Sequence, residues 1–100
     1  MNINALMQQA QKMQKDLAKA QKALDETLFE ISSAGGAITL KIYGNRKVES
    51  IDIDKDAIDP EDKEMLEDMI KVAFNEAIEK IDDENQKLQA KLAGGMRMPF

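Results

Sequence analysis

The chain has no cysteine and no histidine among its 100 residues, two prolines, and four aromatic residues, Phe29, Tyr43, Phe74 and Phe100. Without cysteine there is no disulfide framework, no thiolate metal site and no cysteine nucleophile. Without histidine the usual general base and the usual metal ligand are missing. Carboxylates, lysines, one tyrosine and a few hydroxyls are what remain for catalysis. The expectation is a protein that is not an enzyme and that holds no cofactor or metal. No apolar run approaches the ~20 residues of a membrane span. The opening "MNINALMQQAQKMQK" lacks the charged start and apolar stretch of a secretory signal. A soluble intracellular protein with no membrane partner is expected, as one domain. With 33% of residues charged, long solvated helices suit the chain better than an aromatic core.

What is present changes period along the chain. From Asn2 to about Glu26 there is no Gly or Pro, and Ala, Gln, Lys and Met, all good helix formers, dominate. Apolar residues at Ile3, Leu6, Ala10, Met13, Leu17, Ala20 and Leu24 step alternately by three and four, a heptad seam that packs along one line. The stretch "TLFEISSAGGAITLKIYGNRKVESIDI" is instead β-branched and alternating. It predicts strands over Thr27–Ser33, Ala37–Tyr43 and Lys47–Ile53, with turns at Gly35-Gly36 and at Gly44-Asn45, residues able to adopt positive φ. A two-residue second loop would set Ile42 opposite Lys47. A three-residue loop, Gly44 to Arg46, sets it opposite Val48 instead. One extra residue at Glu49-Ser50 then pairs Leu40 with Ile51 and Ile38 with Ile53, so a β-bulge is predicted there.

The last segment opens with Asp59-Pro60-Glu61-Asp62. Asp59 suits an N-cap, Pro60 a first helical position, and Glu61, Asp62 and Glu64 the first turns, where the helix dipole favours negative charge. Leu66, Ile70, Ala73, Phe74, Ala77, Ile78 and Ile81 form a broad apolar stripe that should cover the sheet. Beyond Ile81 it thins to Leu88 and Leu92. A helix that long, about 50 Å, outruns a three-stranded sheet and should project. The fold class is therefore α+β, an α-β-β-β-α chain with a three-stranded antiparallel sheet and two long helices. Residues 1–93 form the domain, and 94–100, "GGMRMPF", an apolar flexible tail.

Charge is unevenly placed. Nineteen acids against 14 cations give a net charge of -5. Residues 1–25 carry four Lys against two Asp, whereas residues 59–92 carry five Lys against eleven acids. On the first helix Lys12, Lys15, Lys19 and Lys22 form one stripe, roughly 160° around from the apolar seam. A phosphate-contacting helix needs that arrangement, and so does any solvated amphipathic helix. Arg46 and Lys47 follow the hairpin turn, where cations either reach a phosphate or keep an edge strand from pairing. Lys87 and Lys91 are further cations near the end of the second helix.

Other motifs fail on inspection. "DIDKDAIDPED" begins like a calcium loop at Asp52, Asp54 and Asp56. Ala57 then stands where glycine is needed, and Lys63 where the bidentate glutamate is needed. Gly35-Gly36 and Gly94-Gly95 are pairs without the Lys-Ser or Lys-Thr of a phosphate loop. Seven methionines fit core filling better than a ligand site.

Taken together, "NALMQQAQKMQKDLAKAQKAL", the Gly-Asn turn, "VESIDID", "DKEMLEDMIKVAFNEAIEKI" and the terminal "GGMRMPF" resemble the YbaB/EbfC family of bacterial nucleoid-associated proteins. The resemblance runs over nearly the whole chain. "EMLEDMIKVAFNEA" and the terminal Met-Pro-Phe are its most specific pieces. It implies a homodimer with projecting helices and binding to double-stranded DNA in the cytoplasm, at the nucleoid. Family contacts attributed to helical arms correspond here to Lys12, Lys15, Lys19 and Lys22, with Lys87 and Lys91 weaker. The first helix has no arginine, so bidentate contacts to guanine are unavailable there and backbone contact with little sequence preference is expected. The alternative is a protein-interaction scaffold that uses the seam, the projecting helix and the C-terminal tail to hold a protein partner.

Overall fold

The computed structural model describes residues 2–94; of the expected tail, 94–100, Gly94 falls within the last helix and residues 95–100 lie outside the described residues. Helix α1 spans Ile3–Asp25, strands β1, β2 and β3 span Leu28–Ser33, Ile38–Tyr43 and Val48–Ile53, and helix α2 spans Lys63–Gly94. Short 3-10 turns lie at Ala34–Gly36 and Lys55–Ala57. The α-β-β-β-α order is as expected.

Asn2 starts α1: its side-chain oxygen accepts the N–H groups of Asn4 and Ala5, two donors the helix cannot satisfy itself. The sheet is antiparallel in the order β1-β2-β3. In the second hairpin Ile42 pairs with Val48, Lys41 with Ser50, Leu40 with Ile51 and Ile38 with Ile53, so Glu49 is the extra residue. The three-residue loop and the bulge are both present, because only that register puts the apolar residues of β3 on the face used by Ile38, Leu40 and Ile42.

Two local expectations are corrected. Within the Gly44–Arg46 loop it is Arg46 that takes the left-handed conformation, φ 72°, and not Gly44 or Asn45. The loop is a turn closed by the Arg46 N–H on the Tyr43 carbonyl, with the left-handed residue third. At the second helix, Asp59 does not cap α2. Its carboxylate accepts the Glu61 N–H in a local turn, and Asp62, accepting the Met65 N–H, is the cap. Pro60 and Glu61 therefore precede the helix. Asp59 and Asp62 compete for the same role, and the one nearer the apolar stripe at Leu66 wins.

The core is a single layer between β2 and α2. Ile38, Leu40 and Ile42 are buried against Ala73, Ala77 and Ile81, with Phe29, Ile31 and Phe74 at its rim. Two alanines facing the sheet let α2 approach closely, and each large aliphatic residue buried there contributes about 1.5–3 kcal/mol. Helix α2 lies over β1 and β2 and leaves β3 uncovered. Val48 and Ile51 are consequently 44% and 42% exposed although they face the α2 side of the sheet.

The molecule measures 71 × 28 × 16 Å, with a radius of gyration of 19.8 Å against about 13 Å for a compact chain of this length. The excess is helix. The 32 residues of α2 extend about 48 Å, beyond strands of six residues that reach about 20 Å. Among the described residues, no helix is long and apolar enough to cross a membrane.

Candidate nucleic-acid interface

Among the described residues, the side-chain hydrogen bonds from α1 to the rest of the molecule lie at its C-terminal end. The Gln21 side chain donates to Asn85 on α2 and to Asp25 on its own helix. Leu24 lies with Leu88 in a crevice between the helices that Glu84, Lys87 and Lys91 also line. The hairpin tip closes the junction from below. Gly44 donates its N–H to the Thr27 carbonyl and Asn45 donates to the Asp25 carbonyl. Toward its N-terminus α1 is exposed over Ile3–Lys19, apart from a half-buried Met13.

Lys12, Lys15, Lys19 and Lys22 all lie on this exposed helix. From the first to the last is about 15 Å of helix, the length of four to five phosphate steps along one strand of a duplex. Among the described residues none of the four has a carboxylate within ion-pair distance. The neighbouring Asp16 flanks the stripe, three and four residues from Lys19 and Lys12.

Three of the five lysines of α2 are placed differently, while Lys71 is exposed without a carboxylate partner among the described residues. Lys63 pairs with Glu67 and Lys80 with Glu84. Lys87 lies 3.2 Å from Asp83 and 3.7 Å from Glu84. The hydrogen bond and charge of Asp83, then the charge of Glu84, hold the Lys87 pKa above its ordinary value. Lys91 is exposed at the crevice mouth. At the hairpin, the Arg46 guanidinium is bonded to Asp82 of α2, whereas Lys47 is exposed and has no carboxylate partner among the described residues.

The eight cations singled out in the sequence thus do not converge. Four form a row on α1. Arg46 and Lys87 are engaged with the acidic side of α2, and Lys47 and Lys91 stand apart. Sequence reading missed Asp82 as the partner of Arg46, a pairing across 36 positions with no local signal. The Lys87 pairs were visible, because Asp83 and Glu84 stand four and three residues before it.

On the side to which Asp83, the partner of Lys87, belongs, α2 carries an open groove of about 550 Å³ lined by Glu76, Glu79, Lys80, Asp82, Asp83 and Gln86. Its dominant charge repels a phosphate backbone. Among the described residues, no three acidic side chains are placed to hold a metal ion together.

Comparison with known proteins identifies the family to which this fold belongs. The sequence profile of the YbaB/EbfC DNA-binding family matches residues 1–96. A nucleoid-associated protein of Clostridium novyi is 48% identical over 99 residues, which cover 99% of this chain and 87% of that protein. A nucleoid-associated protein of Chloroflexus aurantiacus is 42% identical over 100 residues and the full length of both chains. The fold is similar to the crystal structure of an uncharacterized protein from Helicobacter pylori, with a TM-score of 0.78 at 19% identity over 93% of this chain and 98% of that one. Matched over nearly its whole length, with the expected helix-sheet-helix order, this chain belongs to the YbaB/EbfC DNA-binding family.

Proposed function

We propose that this protein is a dimeric nucleoid-associated DNA-binding protein that contacts the duplex backbone through α1, with little sequence preference. The observation that carries the reading is the contrast between the two helices. Lys12, Lys15, Lys19 and Lys22 are exposed in one row with no carboxylate partner among the described residues, while Lys63, Lys80 and Lys87 of α2 are engaged by their own helix. A lysine that must give up a carboxylate to reach a phosphate gains little from the exchange. Lys47 and Lys91 act as auxiliary contacts, and Arg46 and Lys87 rank behind them for that reason. The acidic face of α2 turns the duplex toward the α1 side. The family description and the names of the relatives support the choice of DNA as partner.

The dimer reading is supported by the uncovered side of the sheet. Val48 and Ile51 continue the core layer without a cover, and Met65 and Val72 of α2 are exposed as well. A second copy laid there would complete the layer in the way a two-fold contact requires. Ile51→Glu is expected to convert dimers to monomers in light scattering; an unchanged mass would move the interface elsewhere.

The central test is duplex binding by fluorescence anisotropy across salt. With eight stripe lysines per dimer engaged, the logarithmic slope approaches about -7, at ~0.9 per phosphate neutralised. Changing Lys12, Lys15, Lys19 and Lys22 together to Gln should abolish most of both affinity and slope. A variant that binds as well as wild type, with the same slope, would remove α1 from the interface. Failure of wild type to bind any duplex at low salt would instead favour the scaffold reading, in which the exposed α1 seam holds a protein.

A further inference from the structure

We infer that the apolar seam of α1 is a self-association surface, occupied by the antiparallel α1 of a second copy, so that two DNA-binding units are joined arm to arm. Ile3, Leu6, Met7 and Leu17 are exposed by 69%, 48%, 56% and 43%. They do not scatter. Ile3, Leu6 and Leu17 lie with Ala10 and Met13 on the face opposite the lysines, at the alternating spacing of three and four that a second helix fills and a flat surface does not, and Met7 widens the seam at its edge. A solvated helix has no use for that regularity, and an apolar stripe of this kind marks an interaction site.

The chemistry of the seam selects its occupant. From Ile3 to Gln11 the helix carries no charged side chain, and Gln9 and Gln14 flank the seam. A partner recognised through charge would find nothing to pair with, while two copies meet without like-charge repulsion. The seam is also self-complementary about Ala10. In an antiparallel pair centred there, Ile3 meets Leu17, Met7 meets Met13, and Ala10, the smallest seam residue in the exposed stretch, meets itself at the point of closest approach. Leu6 of each copy seats between Met13 and Leu17 of the other. Antiparallel is the direction that arms on two separate bodies can adopt without collision of those bodies. Helices packed ~8–10 Å apart in this way leave the two lysine rows facing outward on opposite sides. Each row is then free to take its own duplex, and the pair bridges two DNA segments. The bridging consequence rests on the DNA reading above; the pairing itself does not.

The test begins without DNA. The absence of cysteine makes single-cysteine crosslinking clean. Ala10→Cys should form a disulfide-linked pair in most molecules on mild oxidation, because the paired Cα atoms fall within the ~4.4–6.8 Å a disulfide spans. Gln8→Cys, on the opposite face, should not. In sedimentation equilibrium, wild type should pass from two copies to four as concentration rises. A Leu6→Glu/Leu17→Glu variant should stay at two, with its helix content by circular dichroism unchanged. If that variant instead falls to one copy while Ala10→Cys crosslinks, the pairing holds and the sheet-face dimer fails. If Ala10→Cys and Gln8→Cys crosslink equally, or the double variant has the mass of wild type throughout, the inference is overturned. It is equally overturned if deleting residues 95–100 is what first creates the association, since the chain's own tail then covers the seam. With DNA, wild type on a bead-bound duplex should capture a second labelled duplex. The double variant should bind the first and capture at least tenfold less of the second. Wild type that binds one duplex and captures no second would leave the DNA reading standing and remove the bridge.

Discussion

Replacing Gly44 by alanine tests how α1 is seated on the hairpin. The position is in ordinary backbone territory, so no left-handed conformation is at stake. A Cβ added there would lie 1.9 Å from the Leu24 carbonyl oxygen, 2.7 Å from its carbon and 3.3 Å from Asp25 Cα. All three obstacles are backbone, so no side chain can rotate away. The end of α1 must lift off the hairpin tip instead. That movement strains or breaks the Gly44 to Thr27 and Asn45 to Asp25 hydrogen bonds, 2.9 and 3.2 Å, each worth about 1 kcal/mol net. It also loosens the packing of half-buried Leu24. We expect a cost of about 2–4 kcal/mol. With a urea dependence of ~2 kcal/mol/M, the unfolding midpoint falls by about 1–2 M. Protein concentration is held fixed, because any self-association would contribute to apparent stability. Gly35→Ala is the control. It has φ 68° with nothing within 4 Å of an added Cβ, so only the conformational cost of about 1 kcal/mol applies. If Gly44→Ala unfolds at the wild-type midpoint, or costs less than Gly35→Ala, the seating of α1 does not depend on this contact. Duplex affinity gives a second readout, since a displaced α1 carries the lysine row with it.

Two further outcomes follow from the charges. Arg46 holds a left-handed φ that costs about 1 kcal/mol in a non-glycine residue, and its ion pair with Asp82, half exposed on both sides, returns ~0–1 kcal/mol. Arg46→Gly should therefore be near neutral at low salt and stabilising by about 0.5–1 kcal/mol in 1 M NaCl, where the pair is screened; lower stability than wild type at high salt would show that the pair outweighs the strain. Asp16→Asn removes the carboxylate beside the lysine row and should tighten duplex binding about two-fold at low salt, a gain that fades as salt rises. Unchanged affinity would place the duplex away from that turn of α1.

Most of the scaffold could be read from residue patterns because those patterns are local. The gap-free stretch from Asn2 to Glu26 gave α1 to within a residue. The broken alternation of Val48, Ile51 and Ile53 located the bulge, since a one-residue slip would have turned the whole strand outward. What escaped was competition and distance. Asp59 and Asp62 are both good caps, and the choice between them depends on where α2 meets the sheet. Gly44 looked like a turn residue needing positive φ; its actual constraint is the approach of Leu24, twenty positions earlier, which no local pattern announces. The same applies to the site. The lysine row was visible as spacing, but the engagement of Arg46 by Asp82 could emerge only once the hairpin and α2 were placed together. The burial of β2 and exposure of β3 likewise depend on which strands α2 crosses.

The bulge at Glu49 has a bearing on how safely such a protein can be made in quantity. Strand β3 is an outer strand of the sheet, and its free N–H and C=O groups are a template onto which another extended chain could zip. An unpaired residue in mid-strand bends and twists that row, so a straight incoming strand loses step after two or three bonds. Glu49 and Asp52, exposed on the same strand, add like-charge repulsion between identical edges. The residue that aligns the apolar side of the hairpin thus also spoils its rim for fibre growth. The bulge therefore guards the β3 edge alone; the other outer strand, β1, pairs with β2 in an unbroken register and has no such kink.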